Sequence, residues 1–255
     1  MRVNPIMICL LAATPHETAL LRQQLPLSPD PLLPGRSFSC HFCEVKILLV
    51  HTGIGAVSAA FNLTRLLERI APQALIVFGC GGSYPTSGLQ NGDLALATSE
   101  LFGDLGTASE GGFVPLAELG ISAQPGAPKL FEQLLFLNDK YYTAALACLR
   151  EAPELSQFKI SLGPFVTVNT VSGTEVLCRE LEARSGGLCE NMEGAALAQV
   201  AREYSIPLLE VRGISNPCGT RDRSCWDLPA GMASAQRAVL RLLKDLPELR
   251  KRACS

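Results

Sequence analysis

Apolar residues along this chain fall into short unbroken runs, each closed by a glycine- or proline-containing turn, and between the runs they recur at helical spacing. Residues 6–13 form the first run, apolar throughout, which predicts a strand buried on both faces. Thr14-Pro15 ends it and predicts a helix start, with Thr14 as cap, Pro15 in the first position and Glu17 in the first turn. Four prolines within residues 26–34 predict a loop. Strands are predicted over 38–42 and 45–51, the latter running into HTGIGAVSAA and a helix, and again over 74–78, 94–98 and 165–171. A glycine-rich loop follows 94–98 as far as Phe113, and a helix is predicted over 139–149. Residues 191–204 place Ala195, Ala196, Ala198, Val200 and Ala201 on one helical face. Residues 208–211 read as a buried strand, and 230–243 as a last amphipathic helix. Strands alternating with helices, with no internal repeat or linker, predict one domain over residues 1–255. Its class is α/β, a three-layer αβα sandwich around a mixed, mostly parallel central sheet.

In open α/β sheets ligands sit just past the carboxyl ends of strands. Two such places here are polar. The helix over 191–204 opens with Met192 and Glu193, where the positive helix end favours a carboxylate. The strand over 208–211 runs out at Arg212-Gly213-Ile214-Ser215-Asn216. One helix start and one strand end therefore aim Glu193, Arg212 and Asn216 at a common point. Glu17 lies at the carboxyl edge of the first strand, although taken alone it reads as a carboxylate placed to suit the helix dipole. Gly53 and Gly55 allow a tight turn and close backbone approach to a ligand, but such a glycine pair marks many strand-to-helix turns. Gly79-Cys80-Gly81-Gly82-Ser83 closes the strand over 74–78 as a loop. No neighbour in sequence lowers the Cys80 pKa, so Cys80 reads as a small lining residue rather than a reactive thiol.

A hydrophobic content of 47% with 18% charged residues supports a large core and argues against disorder. The formal net charge of -2 leaves no footprint for nucleic acid, and Arg250-Lys251-Arg252 is a short cluster that reads as solvated. No run approaches the roughly 20 apolar residues that span a bilayer. The run over 6–13 is short, and Thr14-Pro15-His16-Glu17 stands where a small-residue cleavage site would be, so no membrane partner and a cytoplasmic location are expected. Ten cysteines are scattered, and Cys40 and Cys43 form a lone CxxC without a second pair. Reduced, mostly buried thiols and no metal site are expected.

The segments ENMEGAALA at 190–198 and VRGISN at 211–216 resemble the purine nucleosidase and nucleoside phosphorylase superfamily. The longer tail SNPCGTRDRSCW at 215–226 resembles its futalosine hydrolase branch. The likeness runs through nearly the whole chain. AATPHETALL at 12–21 is similar to the segment that supplies the family's water-activating acid, at Glu17. HTGIGAV resembles the GIGKVNAA segment, with Ala56 and Ser58 in place of Lys and Asn. FGCGGSY resembles the GxAGG loop that faces the ribose, and VSG at 171–173 the VSGD segment, with Thr174 for the Asp and Val176 for an aromatic.

This resemblance implies hydrolysis of the N-glycosidic bond of futalosine, releasing hypoxanthine in menaquinone biosynthesis, without metal or organic cofactor. It implies Glu17 as general base, Arg212 positioning the water, and Glu193 accepting from the ribose hydroxyls with Met192 against the sugar. Gly55, Cys80 and Gly81 would line the sugar site, with Val176 and Leu177 at the base. Phe102 and Phe113 would lie near the 5′-substituent, or serve as ordinary core aromatics. An Asn at 216 offers an amide NH₂ that matches the N7 and O6 acceptors of a 6-oxopurine, whereas adenine-specific relatives carry Asp; a turn cap before Pro217 is the plain alternative. Trp226 and either Arg221 or Arg223 would receive the benzoate-bearing 5′-extension, or else Arg221-Asp222-Arg223 is an exposed ion-paired loop. Three readings stand beside this one. They are methylthioadenosine/adenosylhomocysteine cleavage, phosphorolysis (for which HTGIGAV and FGCGGSY offer no Arg or Lys), and a non-enzymatic nucleoside-binding protein. Homo-oligomerisation is implied by the family.

Overall fold

The computed structural model describes residues 6–43, 45–115, 118–119, 134–135 and 139–246. The first apolar run forms β1, Met7–Ala12, and its two faces bury into two different cores. Ile8, Leu10 and Ala12 join one core, Cys9 and Leu11 the other, as the period-two alternation of a strand requires. After a single 3-10 turn at His16–Thr18 come α1, Ala19–Gln24, then β2, Ser28–Pro29, β3, Ser37–Phe42, and β4, Val45–His51. The remaining elements are α2 (Ala56–Leu67), β5 (Ala74–Ser83), β6 (Leu94–Phe102), β7 (Gly106–Ser109), β8 (Gly112–Pro115), β9 (Leu134–Leu135), α3 (Asp139–Arg150), β10 (Ile160–Thr167), α4 (Glu175–Ser185), β11 (Cys189–Asn191), α5 (Gly194–Glu203), β12 (Leu208–Pro217) and α6 (Leu228–Lys244).

The main sheet has the order β11-β10-β6-β12-β5-β1-β4-β3-β2, with β9 on β6. Pairings of β1 with β4 and β5, of β12 with β5 and of β10 with β6 are parallel; β12 with β6 and β3 with β4 are antiparallel. At one end the sheet folds back on itself, because β11 pairs with β10 and also, antiparallel, with β5. Helices cover both faces. Val239, Leu240 and Leu243 of α6 and Leu21 of α1 pack on one, while Leu63 and Leu66 of α2 and Leu197 and Ala201 of α5 pack on the other. The α/β sandwich with a mixed, mostly parallel sheet is as the sequence predicts. Among the described residues no helix is long and apolar enough to cross a membrane. The Arg250-Lys251-Arg252 cluster lies outside the described residues.

Several boundaries differ, each for a physical reason. The glycines at 79–83 do not close a loop but continue β5, and Arg212 to Asn216 continue β12, paired residue for residue up to a bulge. β10 begins earlier and ends earlier than 165–171, with a register shift at Gly163/Pro164. Thr14 does not cap a helix; its N–H and hydroxyl both donate to Glu17 Oε2. α5 starts at Gly194 because Asn191 Oδ1 accepts from the N–H groups of Glu193 and Gly194, at 2.9 and 2.7 Å, and so caps the helix from outside it. The glycine-rich stretch before Phe113 forms the β7–β8 hairpin rather than a loop.

Candidate active site

At the carboxyl ends of β1, β5 and β12, facing the start of α5, lies a cavity of about 420 Å³, within the range of small-ligand sites. Glu17, Cys80, Gly81, Met192, Glu193, Arg212, Asn216, Arg221 and Trp226, all expected from sequence, line it together.

Glu17 is buried and held from three sides. Its Oε2 accepts from Thr14 N at 2.9 Å and Thr14 Oγ1 at 3.1 Å, and its Oε1 from Cys80 N at 3.1 Å. Gly79 makes room for it: a β-carbon there would stand 2.3 Å from Glu17 Oε1. An ionised carboxylate has about four acceptor directions, so at least one remains for a ligand or water. Burial, and then the Glu17 charge, push the Cys80 thiol up to about 12. The thiol is therefore neutral at physiological pH, as its sequence context predicts, and Cys80 contributes through its backbone.

Arg212, only 2% exposed, spends its guanidinium on four partners. Nε donates to Glu210 Oε1 at 2.9 Å, Nη1 to Cys80 O at 3.1 Å and to Glu193 Oε2 at 3.5 Å, and Nη2 to Asn191 Oδ1 at 3.3 Å. Burial works against this charge, but Glu210, Glu193 and Glu17 outweigh it and hold the pKa above the ordinary arginine value. Glu193 Oε1 accepts from Gly55 N at 3.0 Å. Gly55 sits at the N-cap of α2 with φ +85°, a left-handed conformation that suits glycine, so its role is to anchor Glu193 rather than to line the cavity. Glu193 itself occupies the N-cap of α5, so the positive ends of two helices meet at one carboxylate.

Asn216 Oδ1 accepts from Ser215 Oγ at 2.8 Å and its Nδ2 donates to Pro217 O at 3.1 Å, which leaves one amide hydrogen for a ligand. At the mouth, the Arg221 guanidinium stacks 4.7 Å from the Trp226 ring centroid, and the buried Trp226 Nε1 has no hydrogen-bond partner among the described residues.

Besides Gly55, four expected residues are not brought in. Val176 and Leu177, 66% and 54% exposed, lie on the first turn of α4 and do not line the cavity. β10 ends at Thr167, residues 168–174 connect it to α4, and these side chains, on the turn after the Thr174 cap, point outward. Phe102 lies by a different depression of about 410 Å³, bordered by Val57 and Ala60 of α2 and Gln199 and Val200 of α5. Phe113 is in the β7–β8 hairpin under the Arg184 guanidinium. Conversely, sequence reasoning missed His16, Glu190, Cys218 and Met232 as lining residues, and Asn191 as the organiser of Glu193 and Arg212. For Asn191 a signal existed, an Asn just before a helix start; for Met232, in mid-helix, there was none.

Residues 7–247 match the family described as the Phosphorylase superfamily, and the chain belongs to it. Within that class it is similar to futalosine hydrolase of Thermus thermophilus, 34% identical over 77% of this chain and 80% of the relative. It is likewise similar to futalosine hydrolase of Acidothermus cellulolyticus, 32% identical over 79% of this chain and 76% of the relative. Among solved structures, the 5′-methylthioadenosine/S-adenosylhomocysteine nucleosidase of Colwellia psychrerythraea in complex with adenine superposes with a TM-score of 0.80 at 20% identity. The match covers 96% of this chain and 98% of that one, a likeness of fold.

Proposed function

We propose that the chain is a purine-nucleoside N-glycosyl hydrolase that cleaves futalosine with water, releasing hypoxanthine and dehypoxanthine futalosine in menaquinone biosynthesis. The observation that carries this reading is the convergence of Glu17, Glu193 and Arg212 on one cavity that also presents the Asn216 amide. The similarity to futalosine hydrolases supports the choice of substrate.

In the reaction the C1′–N9 bond breaks and its electron pair leaves with the purine. A water oxygen bonds to C1′ and gives its proton to Glu17, which lines the cavity and keeps an acceptor direction free. Glu193 accepts from the ribose hydroxyls, and its charge favours the positive charge that develops on the sugar. Arg212 balances the carboxylates and ties them to the β5 backbone through Cys80 O. The remaining Asn216 amide hydrogen meets the N7/O6 edge of the leaving 6-oxopurine and stabilises its charge. The purine then takes up one proton, the equivalent of the one Glu17 has gained and gives up, to leave as neutral hypoxanthine. Trp226 and Arg221 take the carboxylate-bearing 5′-extension: the ring supplies a face, the guanidinium a charge, and the unpaired indole N–H a donor. The chemistry needs no metal or organic cofactor.

A homo-oligomer and a cytoplasmic location belong to the same reading. Val57 and Phe61 on α2 are 81% and 60% exposed, and the depression beside Phe102 opens on the same helix, an apolar surface that suits a second copy.

The test is chromatographic detection of free base from futalosine and from methylthioadenosine in phosphate-free buffer. Hypoxanthine from futalosine alone is expected. Adenine from methylthioadenosine would overturn the role given to Asn216, activity only on adding phosphate would move the chain to the phosphorylases, and binding without cleavage would leave a nucleoside-binding protein.

A further inference from the structure

Behind Arg212, and not lining the cavity, lie two fully buried carboxylates, Glu100 near the end of β6 and Glu210 on β12. They close in on the same point of α5: a β-carbon at Gly194 would stand 1.9 Å from Glu100 Oε1 and 2.7 Å from Glu210 Oε1. Glu210 Oε1 is taken by Arg212 Nε, while its Oε2 has no protein donor among the hydrogen bonds of the described residues. Glu100 Oε1 accepts from Asn191 Nδ2 at 2.5 Å and its Oε2 from Thr167 Oγ1 at 2.9 Å.

Two ionised carboxylates in one fully buried site repel each other, and each costs several kcal/mol in lost solvation. The guanidinium beside them already faces Glu193. A proton on Glu100 relieves the repulsion and supplies the donor that Glu210 Oε2 lacks.

We propose that Glu100 and Glu210 hold one proton between them, with Glu100 the neutral acid, and that both are positioning residues for the cavity. Glu210 fixes the Arg212 guanidinium, and Glu100 fixes the Asn191 amide. The proposal deepens the hydrolase reading and, for its kinetic readouts, rests on it. Burial, and next the neighbouring Glu210, push the Glu100 carboxyl well above the carboxylate range. Burial also raises Glu210, but there Arg212 acts directly against it through charge and hydrogen bond. The proton therefore belongs on Glu100.

The consequence reaches the cavity through Asn191. With its NH₂ held by Glu100, its Oδ1 is the atom left to accept from Glu193 N, Gly194 N and Arg212 Nη2. A flipped amide would set two N–H groups against three donors. Glu100 thus sets the cap of the helix that carries Glu193, and Glu210 sets the cation that Glu193 faces.

The experiment combines isosteric variants with a direct look at the proton. Glu100→Gln replaces a neutral acid by a neutral amide that keeps a carbonyl acceptor for Asn191 and a donor for Glu210, with Thr167 Oγ1 free to donate to Asn191 Oδ1 instead. Both kcat and KM are therefore expected to stay close to the parent protein. Glu210→Gln removes the charge paired with Arg212 and is expected to lower kcat by about 100-fold with little change in KM, the signature of misplaced groups rather than lost binding. Carbon-13 spectra of labelled glutamate side chains are expected to show one protonated carboxyl at neutral pH, absent in Glu100→Gln. If Glu210→Gln does not fold, Glu100→Gln against Glu100→Leu decides: the amide keeps activity, and the leucine, which cannot hold Asn191, loses it. No protonated glutamate at neutral pH, or equal damage from Glu100→Gln and Glu210→Gln, overturns the proposal. If the parent protein cleaves no nucleoside, the hydrolase reading fails alone, and the carbon-13 signal still decides where the proton is.

Discussion

At the floor of the cavity each charged side chain is held by groups from at least one other element: Glu17 by Thr14 and Cys80, Glu193 by Gly55 and Arg212, and Arg212 by Asn191, Cys80 and its own strand neighbour Glu210. At the mouth, Arg221 and Trp226 lie on the segment between β12 and α6 and stack on each other. Backbone groups tie the segment, as in Ser224 N to Asp222 and Asn91 Nδ2 to Cys225 O, but no hydrogen bond among the described residues holds either of the two side chains. The floor is set before any ligand arrives, which is what stabilising a transient charge requires, since groups already in place cost no reorganisation. The mouth leaves a guanidinium exposed and an indole N–H unpaired. Its order is completed by whatever the ligand brings, so changes there act on selection rather than on chemistry or stability.

This contrast can be broken at either end. The largest effect is expected from Glu17→Gln, which keeps the size and removes the base: kcat falls by roughly 10²–10⁴-fold in a base-release assay while urea unfolding is unchanged. Arg212→Met comes next, and acts on the fold as well, because it leaves Glu210 and Glu193 buried without their cation. A loss of about 3–5 kcal/mol in denaturant titration is expected, and an unaffected midpoint would refute the tight floor. Asn216→Asp is expected to move the ratio of adenine to hypoxanthine release by about tenfold or more with the melting temperature retained. Trp226→Ala is expected to raise KM for the long-tailed nucleoside, leave kcat nearly as it was, and change stability by no more than about 0.5 kcal/mol. A large fall in kcat would mean that the mouth takes part in the chemistry.

The smallest effect concerns His51, buried at the end of β4 with Nε2 2.9 Å from Thr18 Oγ1. Burial, then the charges of Arg22 and Arg36, lower its pKa from 6.5 to about 4. The unfolded chain therefore takes up the proton first. Stability from this group is full above about pH 6.5 and is lost as pH falls towards 4. Melting curves of His51→Gln should flatten that part of the acid limb, and an identical limb would remove His51 from the account.

The same division explains what the sequence could and could not disclose. Strands such as β1 and β4 are apolar throughout, so hydrophobic pattern alone finds them. Residues 79–83 misled because glycine ordinarily marks a turn, whereas here the missing side chains make room for Glu17 at Gly79, Cys189 at Gly81 and Cys218 at Gly82, inside a paired strand. Arg212 read as a strand end because a charge in a core is costly; its carboxylate partners are Glu193 at the start of α5 and Glu210, two residues back on the same face of β12, and the sequence reading brought in the first and overlooked the second. Motifs therefore brought Glu17, Glu193, Arg212 and Asn216 to one place, while Glu100 depended on Thr167 and Asn191 from distant segments, and no motif included Glu210. Their only trace was an acidic residue inside an otherwise buried strand. Val176, Leu177 and Phe102 were assigned by resemblance, and on the isolated chain they face elsewhere.

The double pairing of β11 has a consequence for solubility. An open sheet offers unpaired N–H and C=O groups at both margins, and such margins recruit strands from other chains. Here one margin is consumed by the return to β5, and the other ends in β2, a two-residue strand whose Pro29 has no N–H to offer. Strand-to-strand polymerisation thus has little template to start from among the described residues, and the second copy proposed above would meet this chain through side chains on helices, without unravelling the sheet.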